Sequence, residues 1–259
     1  MTYIDTHAHL YADQFDEDRE EMIQRALDAG VKKLFLPNID EKSIAGMEHL
    51  VEKYPSICYS MMGIHPCDVA KSWEQQLETV KKHYQKGYHI AIGEIGIDLY
   101  WDQSLKKEQT DAFAAQIEWA KKEQLPIVIH ARDSFEEIFE VVDQYNDENL
   151  KGIFHCFTGN IDQAKKIMDY GGFKMGIGGV VTFKNSGLRV VLQEVPLSYL
   201  VLETDAPYLT PAPHRGKRNE SSYIPLIAKT LSSVYEMDEK EIGKITSENA
   251  LRIFKHVNE

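Results

Sequence analysis

Histidine and carboxylate side chains follow short apolar segments throughout this 259-residue chain. The first two, His7 and His9, are separated by one residue, so on a strand both imidazoles face the same side. Neutral imidazole nitrogens are common ligands of divalent transition metals. The pair therefore indicates half of a metal site, although two polar residues near a terminus are an equally good interpretation of this spacing alone.

Later parts of the chain repeat this arrangement of an apolar run followed by a potential metal ligand. A single histidine in such a place is more often a hydrogen-bonded core residue than a ligand, but several together are difficult to produce by chance. Crowded imidazoles and carboxylates are costly to bury unless cations neutralise them. We therefore predict a metal centre. The further candidates are His65, Glu94, His130, His155 and Asp205.

The candidate ligands outnumber those of one open tetrahedral site and suffice for two ions that share a carboxylate. We predict that Glu94 is the shared carboxylate. A water held by two such ions becomes acidic enough to attack an electrophile. Because imidazole and carboxylate ligands accept Mg, Mn, Zn, Ni or Fe, the identity of the two divalent metal ions stays open. The predicted ligands are His7, His9, Glu94 and Asp205 for the first ion, and Glu94, His130 and His155 for the second.

Eight short apolar segments alternate with longer amphipathic ones, which is typical of β/α units around a parallel sheet. Helical spacing is clear in Asp16–Ala29 and Lys106–Glu123, and two more helices are expected after the last strand, near Tyr223–Tyr235 and Asp238–His256. The predicted strands are Tyr3–His9, Lys33–Asn38, Cys58–His65, His89–Gly96, Pro126–Ala131, Gly152–Phe157, Phe173–Ile177 and Tyr199–Thr204.

Eight parallel units with helices outside close naturally into a (β/α)8 TIM barrel. An open doubly wound sheet is less favoured, because no glycine-rich phosphate motif follows the first strand. Ser72 with Gln75 and Ser134 with Glu137 have capping-box spacing and mark helix starts. We predict one domain over residues 1–259, with C-terminal helices after strand eight. The strands' carboxyl ends, where the candidate ligands lie, would form the active face.

The overall charge limits how this protein can contact nucleic acid. The chain has 29 Lys and Arg against 41 Asp and Glu, a net charge of −12, which argues against a broad basic surface. The three cysteines, Cys58, Cys67 and Cys156, are widely spaced, so we expect reduced thiols and no nucleophilic role for Cys156. No signal-peptide or membrane-spanning pattern occurs, and we expect a cytoplasmic monomer that does not bind membranes.

Five sequence blocks together resemble the signature of the TatD-type metal-dependent deoxyribonucleases, within the wider amidohydrolase-like superfamily. The resemblance implies a (β/α)8 barrel with a dinuclear site that hydrolyses phosphodiester bonds in DNA, often from the 3′ end. The family's metal positions fall on the same six residues that the strand ends indicate. The blocks are Asp5–Leu10, Gly63–Pro66, Gly93–Asp98, His155–Gly159 and Glu203–Leu209.

Two single residues are candidates for binding the substrate phosphate. His65 matches the histidine of the family's G-x-H-P block, and the resemblance implies a contact with phosphate; its alternative role is a structural turn before Pro66. Arg132 lies two residues beyond His130 and so would point to the same side. It could clamp a phosphate or pair with a neighbouring carboxylate.

The stretch His214–Glu220 is the compact basic cluster of this acidic chain and follows strand eight, where barrels often bind phosphate. It resembles the family's R-G-K-x-N-E block, in which Arg215 and Lys217 are candidates for binding phosphate. A solvated loop is the simpler alternative. Ser221 stands where the family commonly has proline, so the resemblance leaves the local shape of this loop open.

We hypothesise a metal-dependent hydrolase, a deoxyribonuclease of the 3′–5′ exonuclease type acting on single-stranded DNA or 3′ ends. Asp205 would hold and deprotonate the water, and Glu94 would bridge the ions. One alternative is a small-molecule amidohydrolase, esterase or lactonase on the same barrel. Many of those bridge their metals with a modified lysine at the end of strand four, where this chain has Glu94. A non-catalytic binding subunit is a second alternative, which the intact ligand set disfavours.

Overall fold

The computed structural model describes residues 2–85, 87–255 and 257, which form eight strands and nine α-helices. None of the described helices is long and apolar enough to cross a bilayer. The strands are β1 Tyr3–Asp5, β2 Val31–Pro37, β3 Cys58–Met61, β4 Ile92–Asp98, β5 Ile127–Arg132, β6 Gly152–Phe154, β7 Phe173–Ile177 and β8 Leu200–Leu202. The helices are α1 Arg19–Asp28, α2 Glu41–Lys53, α3 Trp73–His83, α4 Lys106–Glu123, α5 Phe135–Tyr145, α6 Ile161–Asp169, α7 Leu188–Leu192, α8 Ile224–Tyr235 and α9 Glu239–Ile253.

The strands pair in parallel and in chain order, as two ladders, β1-β2-β3 and β4-β5-β6-β7-β8. Backbone hydrogen bonds join the ladders at both seams. Met62 N donates to Ala91 O at 3.1 Å on one side, and Thr6 N donates to Leu202 O at 3.0 Å on the other. The predicted (β/α)8 class is therefore confirmed, although the regular ladder is interrupted at the two seams.

The interior of the strand layer is apolar at its lower end. Phe254, which follows α9, packs against Phe35 of β2 with ring centroids 4.8 Å apart. Val128 of β5 belongs to the same buried cluster, and His130, two residues later on that strand, lies one layer higher. This apolar cluster thus packs against the layer of the interior in which the polar side chains meet. The other strand residues of this cluster include Ile4, Tyr59, Met61, Ile153 and Val201.

The C-terminal helices α8 and α9 lie close to the positions expected from the sequence. Helix α9 packs on β1 at Gly243, where a Cβ atom would lie 2.6 Å from the ring of Tyr3. A larger residue there would push the helix away from the strand. The predicted end of this helix, His256, lies outside the described residues. That residues 1–259 form a single domain stays a prediction.

The predicted starts of α3 and α5 are confirmed, but their predicted capping boxes are wrong. Ser72 and Ser134 directly precede these helices, and neither side chain accepts a capping hydrogen bond. Ser134 Oγ instead donates to Ile97 O of β4 at 2.6 Å, because it packs against that strand. Capping boxes form at α2 and α6, where Asp40 and Asn160 are the cap residues.

Several predicted strands extend too far at their carboxyl ends, and this changes where the site residues lie. His7 and His9 follow β1, and His155 follows β6, so the expectation that they lie on strands is wrong. The chain leaves extended geometry near these positions: Cys156 and Asp205 have φ values of 48° and 57°. Left-handed backbone at residues other than glycine is costly and typical of functional sites.

Candidate metal centre

The carboxylate of Glu94, on β4, is the centre of a cluster of histidines. Its Oε2 lies 3.0 Å from His7 Nε2 and 3.6 Å from His9 Nε2. Its Oε1 lies 2.8 Å from both His130 Nδ1 and His155 Nε2. The two oxygens of one carboxylate therefore face two different pairs of histidines, and these are the same two pairs that the sequence analysis separated.

Asp205, in the turn after β8, joins the first pair. Its Oδ1 lies 3.4 Å from His9 Nε2 and 3.8 Å from His7 Nε2. The turn is held in place because Asp205 N donates to His7 O at 2.9 Å. The two histidine groups are in direct contact, since the rings of His7 and His155 stack with centroids 3.8 Å apart. All six predicted ligands thus meet in one place.

His65 has the structural role in the turn before Pro66, and its contact with substrate phosphate stays a prediction. Its side chain accepts a hydrogen bond from Cys67 N at 3.1 Å and so caps the short 3-10 turn Pro66–Asp68. Its other ring nitrogen, Nε2, points into the cluster and lies 3.5 Å from Glu94 Oε1. The turn therefore fixes an imidazole at the rim of the site.

Asp98 was not among the predicted site residues, although it ends the block Gly93–Asp98. Asp98 Oδ2 lies 2.9 Å from His130 Nε2, so the imidazole is held between Asp98 and Glu94. Strand alternation was the available signal, because Glu94, Gly96 and Asp98 share one face of β4. At Gly96, whose φ is 144°, a Cβ atom would lie 2.0 Å from His130 O, so this close approach of β4 and β5 requires glycine.

A second carboxylate, Glu203, lies beneath the cluster and was also missed. It is fully buried, accepts a hydrogen bond from Cys156 N, and has its Oε1 3.4 Å from His155 Nδ1. Gly176 on β7 makes room for it, since a Cβ atom there would lie 2.0 Å from Glu203 Oε2. Its position two residues before Asp205 was the available signal.

Three buried atoms of this cluster have no hydrogen-bond partner among the described residues. They are His7 Nδ1, His155 Nδ1 and Glu203 Oε2. Buried polar atoms are normally paired, and exceptions in native structures often mark sites for water or an ion. Imidazole nitrogens and carboxylate oxygens that converge in this way fit a divalent cation. Groups of ligand atoms close enough to share one ion include His7, His9 and Glu94, and His65, Glu94 and His130.

The charges in the cluster depend on one another. Burial alone would raise the pKa of the Glu94 carboxyl, but His155, His7 and His65 outweigh burial and hold the pKa well below its usual range. Burial would lower the pKa of His155, yet Glu94 and Glu203 raise it well above its usual value. The carboxylates thus require positive charge here, which either histidine protons or a divalent cation can provide.

Arg132 is the last residue of β5, one residue beyond the predicted strand end, and does not form the carboxylate pair considered for it. In the described part of the chain its guanidinium makes no ion pair and instead stacks on aromatic rings. It lies 3.9 Å from the ring centroid of Tyr100 and 5.2 Å from that of Trp101. A contact with substrate phosphate stays a prediction.

Arg215 and Lys217, the two predicted phosphate contacts in the basic loop after β8, are exposed and take no part in the described hydrogen bonds of the Glu94 cluster. The guanidinium of Arg215 stacks on the ring of Phe183 at 3.7 Å from its centroid. Lys217 is exposed. Neither side chain makes a hydrogen bond or ion pair with the described residues of the cluster. Phosphate binding by Arg215 and Lys217 therefore stays a prediction.

Other residues of the same loop have structural roles. Arg218 pairs with Asp18, with Nη1 2.7 Å from Oδ1. Asn219 Nδ2 donates to Thr204 O at 2.7 Å and so ties the loop to the turn that carries Asp205. Ser221, at the position where a proline was expected, is buried and begins a short 3-10 turn that leads into α8.

Comparisons with known proteins agree with this geometry. The chain matches the profile of the TatD related DNase family over residues 4–255. It is 41% identical over 252 residues to the uncharacterized metal-dependent hydrolase YabD of Bacillus subtilis strain 168, covering 97% of this chain and 98% of that protein. It is 33% identical over 260 residues to the 3′-5′ ssDNA/RNA exonuclease TatD of Yersinia pseudotuberculosis, covering 98% and 99% of the two chains.

The crystal structure of YJJV, a TatD homologue from Escherichia coli K12, has the same fold. It superposes with a TM-score of 0.89 and 28% sequence identity, over 98% of each chain. The profile match and the 41% identical relative each extend along nearly the whole sequence. This chain is therefore a member of the TatD-related DNase family of hydrolases.

Proposed function

We propose that this protein is a metal-dependent exonuclease that hydrolyses phosphodiester bonds in single-stranded DNA from the 3′ end. The observation that carries the proposal is the division of Glu94 between two histidine pairs, because one buried carboxylate with a ligand group at each oxygen suits a two-metal hydrolase. The name of the Yersinia relative, a 3′-5′ ssDNA/RNA exonuclease, supports the choice of nucleic acid as substrate.

Two divalent ions are assigned to the two sides of Glu94. Bound there, they would polarise the substrate phosphate and lower the pKa of the attacking water. Mg, Mn, Zn, Ni and Fe all suit imidazole and carboxylate ligands. The proposed ligand sets are His7, His9, Glu94 and Asp205 on one side, and Glu94, His130 and His155 on the other.

Asp205 is proposed to accept the proton of the attacking water. Its side chain is 15% exposed, whereas that of Glu94 is 2% exposed, so Asp205 is the carboxylate that faces the opening. Burial alone would raise its pKa, but the hydrogen bond from His9 and the charge of His155 outweigh burial and lower the pKa. The carboxylate is therefore ionised at neutral pH and able to take a proton.

Side chains at the rim that can donate hydrogen bonds would orient the phosphate; His65 would do so as a neutral imidazole, because burial lowers its pKa to about 3. The net charge of −12 means that nucleic acid must be held by local contacts rather than by a broad basic surface. His65 is the nearest candidate, since its imidazole reaches Glu94 from the edge of the site. Arg132, Arg215 and Lys217 are the other proposed phosphate contacts.

The direct test is digestion of single-stranded DNA and RNA oligonucleotides, labelled at either end, with added Mg²⁺, Mn²⁺ or Zn²⁺. We expect metal-dependent release of mononucleotides from the 3′ end of DNA. A panel of ester and lactone substrates is run beside it. Hydrolysis of those substrates without cleavage of nucleic acid would assign a small-molecule amidohydrolase instead. Calorimetry that detects no divalent-ion binding would point to a non-catalytic barrel.

A further inference from the structure

Two large aromatic side chains are exposed on the loop that follows β4. Tyr100 is 54% exposed and Trp101 is 70% exposed, and their rings meet edge to face with centroids 4.9 Å apart. The guanidinium of Arg132 lies over the Tyr100 ring at 3.9 Å. Exposing this much aromatic surface to water is unfavourable, so a grouped pair suggests a binding surface.

This aromatic loop is joined directly to the proposed metal centre through Asp98. One oxygen of that carboxylate, Oδ1, accepts hydrogen bonds from Tyr100 N at 3.0 Å and Trp101 N at 3.4 Å. The other oxygen, Oδ2, lies 2.9 Å from His130 Nε2. A single buried side chain therefore fixes both a candidate metal ligand and the backbone of the aromatic pair.

A groove of about 760 Å³ begins at Tyr100 and Arg132 and continues past the loops after β5 and β6. Arg132 lies two residues after His130, and Thr158, farther along the groove, lies three residues after His155. The groove is thus formed by segments that closely follow two of the candidate ligands in the chain. Its volume is in the range of ordinary small-ligand sites. Polar side chains line it, among them Thr158, Asn160 and Gln163, together with the acidic residues Asp133, Glu136 and Glu137.

We propose that Tyr100, Trp101 and Arg132 form a stacking platform for the nucleobase of a nucleotide that flanks the scissile phosphate. The proposal rests on the function proposed above. Aromatic rings stack on any base, and an arginine adds a cation to the stack, so the platform would hold single strands without reading sequence. Two rings beside a guanidinium and a polar groove suit a base with its phosphate better than the apolar face of a protein.

The first test is binding. Fluorescence anisotropy measures the affinity of a labelled ten-nucleotide single strand, with phosphorothioate linkages to slow cleavage, in the presence of Mn²⁺. We expect Trp101→Ala to weaken binding about 5- to 150-fold, the range for loss of one base stack. Trp101→Phe should stay within about threefold of wild type, since a ring remains. Val190→Ala is the matched control, because Val190 is also 70% exposed and lies on α7.

The second test asks whether the platform contacts a base. We compare kcat/KM on substrates whose terminal or penultimate nucleotide is replaced by an abasic tetrahydrofuran unit. The penalty of Trp101→Ala should disappear for one of these two substrates, since the stacking partner is then missing. Equal penalties on all substrates, or no penalty on any, would overturn the platform.

The two proposals fail in different ways. Wild-type protein that binds the strand through Trp101 but cleaves no nucleic acid would refute the nuclease and leave only base stacking by the platform standing. Cleavage by Trp101→Ala at the wild-type rate, with unchanged binding, would refute the platform and leave the nuclease standing. Wild-type protein that neither binds nor cleaves single strands would refute both.

Discussion

Two buried carboxylates, Glu94 and Glu220, are held in opposite ways. Glu220 is 7% exposed and pairs with the guanidinium of Arg25, whose Nη2 lies 2.6 Å from Oε2. Glu94 is 1% exposed and is surrounded by imidazoles. An arginine stays charged at every accessible pH, whereas a histidine is cationic only when protonated. The charge of Glu220 is therefore satisfied permanently within the protein, while that of Glu94 is open to exchange of protons for metal.

The pKa shifts alone would not reveal this difference. Burial opposes ionisation of both carboxyls, and in both the positive neighbours outweigh it and lower the pKa. For Glu220 the largest opposing contribution is the hydrogen bond from Arg25, and for Glu94 it is the charge of His155. A lowered carboxyl pKa thus marks a structural ion pair as readily as an active site. The kind of partner distinguishes the two.

The largest expected effect is a loss of nuclease activity on mutation of Glu94 that mutation of Glu220 does not cause. Glu94→Gln should lower metal-dependent nuclease activity by about three orders of magnitude, because the proposed bridging charge is lost while the shape is kept. Glu220→Gln should retain wild-type kcat/KM and lose stability instead. Paired measurements of cleavage rate and urea unfolding check both variants. Full activity in a folded Glu94→Gln protein would defeat the assignment.

Metal binding should stabilise the protein through Glu94 and be insensitive to Glu220. At about 100 times its dissociation constant, Mn²⁺ should add about 2.7 kcal/mol to the free energy of unfolding. For a chain of this length that corresponds to a Tm increase of about 5 to 10 °C. Differential scanning calorimetry should show this increase in wild type and Glu220→Gln, and little or none in Glu94→Gln. Equal increases in all three proteins would place the ions elsewhere.

Removal of Arg25 should destabilise the protein without affecting cleavage. Arg25 also lies 2.8 Å from Asp18, and its side chain is 42% exposed, so we expect a loss of about 2 kcal/mol, between the values for exposed and buried pairs. Urea unfolding of Arg25→Ala at neutral pH measures this loss.

The pH dependence of that loss has a definite sign. Because the folded pKa of Glu220 lies below its unfolded value, its ion pair contributes stability above the unfolded pKa of about 4.3, and this is lost as the pH falls through the folded pKa. The difference in the free energy of unfolding between wild type and Arg25→Ala should therefore become smaller as the pH falls from about 7 to about 3. A constant difference across that range would show that Arg25 acts through packing alone.

The same contrast explains what could be predicted from the sequence. His130 and Glu94 stand at the ends of apolar runs, so strand periodicity and barrel topology suffice to bring them together. The role of Glu220 could not be predicted, since its partner Arg25 is 195 residues distant and the two meet only when α1 packs against the loop after β8. Long-range ion pairs leave no periodic signal.

The residues proposed to bind substrate show a second limit of prediction from the sequence. Arg132 could be placed near the end of its strand, but its contact with the Tyr100 ring depends on the path of the loop after β4. Some strand ends were also predicted too late: β6 ends at Phe154 and not at Phe157, because the left-handed backbone of Cys156 is set by tertiary packing. Periodicity locates the strands and helices. The path of the chain after the strands end depends on tertiary contacts that the sequence pattern does not show.

The smallest expected effect concerns Asp98, which contacts both the candidate metal ligand His130 and the loop that carries Tyr100 and Trp101. Asp98→Asn keeps an oxygen for the amides of Tyr100 and Trp101 but removes the negative charge beside His130 Nε2. Such outer carboxylates orient a ligating imidazole and raise its basicity, so we expect about tenfold weaker Mn²⁺ binding by calorimetry.

Asp102→Asn is the matched control for this change. Asp102 lies on the same loop and is exposed, and its carboxylate accepts a hydrogen bond from Ser104 N at 2.8 Å, away from the histidines. Its Mn²⁺ affinity should equal that of wild type. If the two variants bind Mn²⁺ equally well, Asp98 supports the loop and not the metal centre. Glu94 would then be the one carboxylate of β4 whose charge acts on the metal, and Asp98 would resemble Glu220 in having a structural role only.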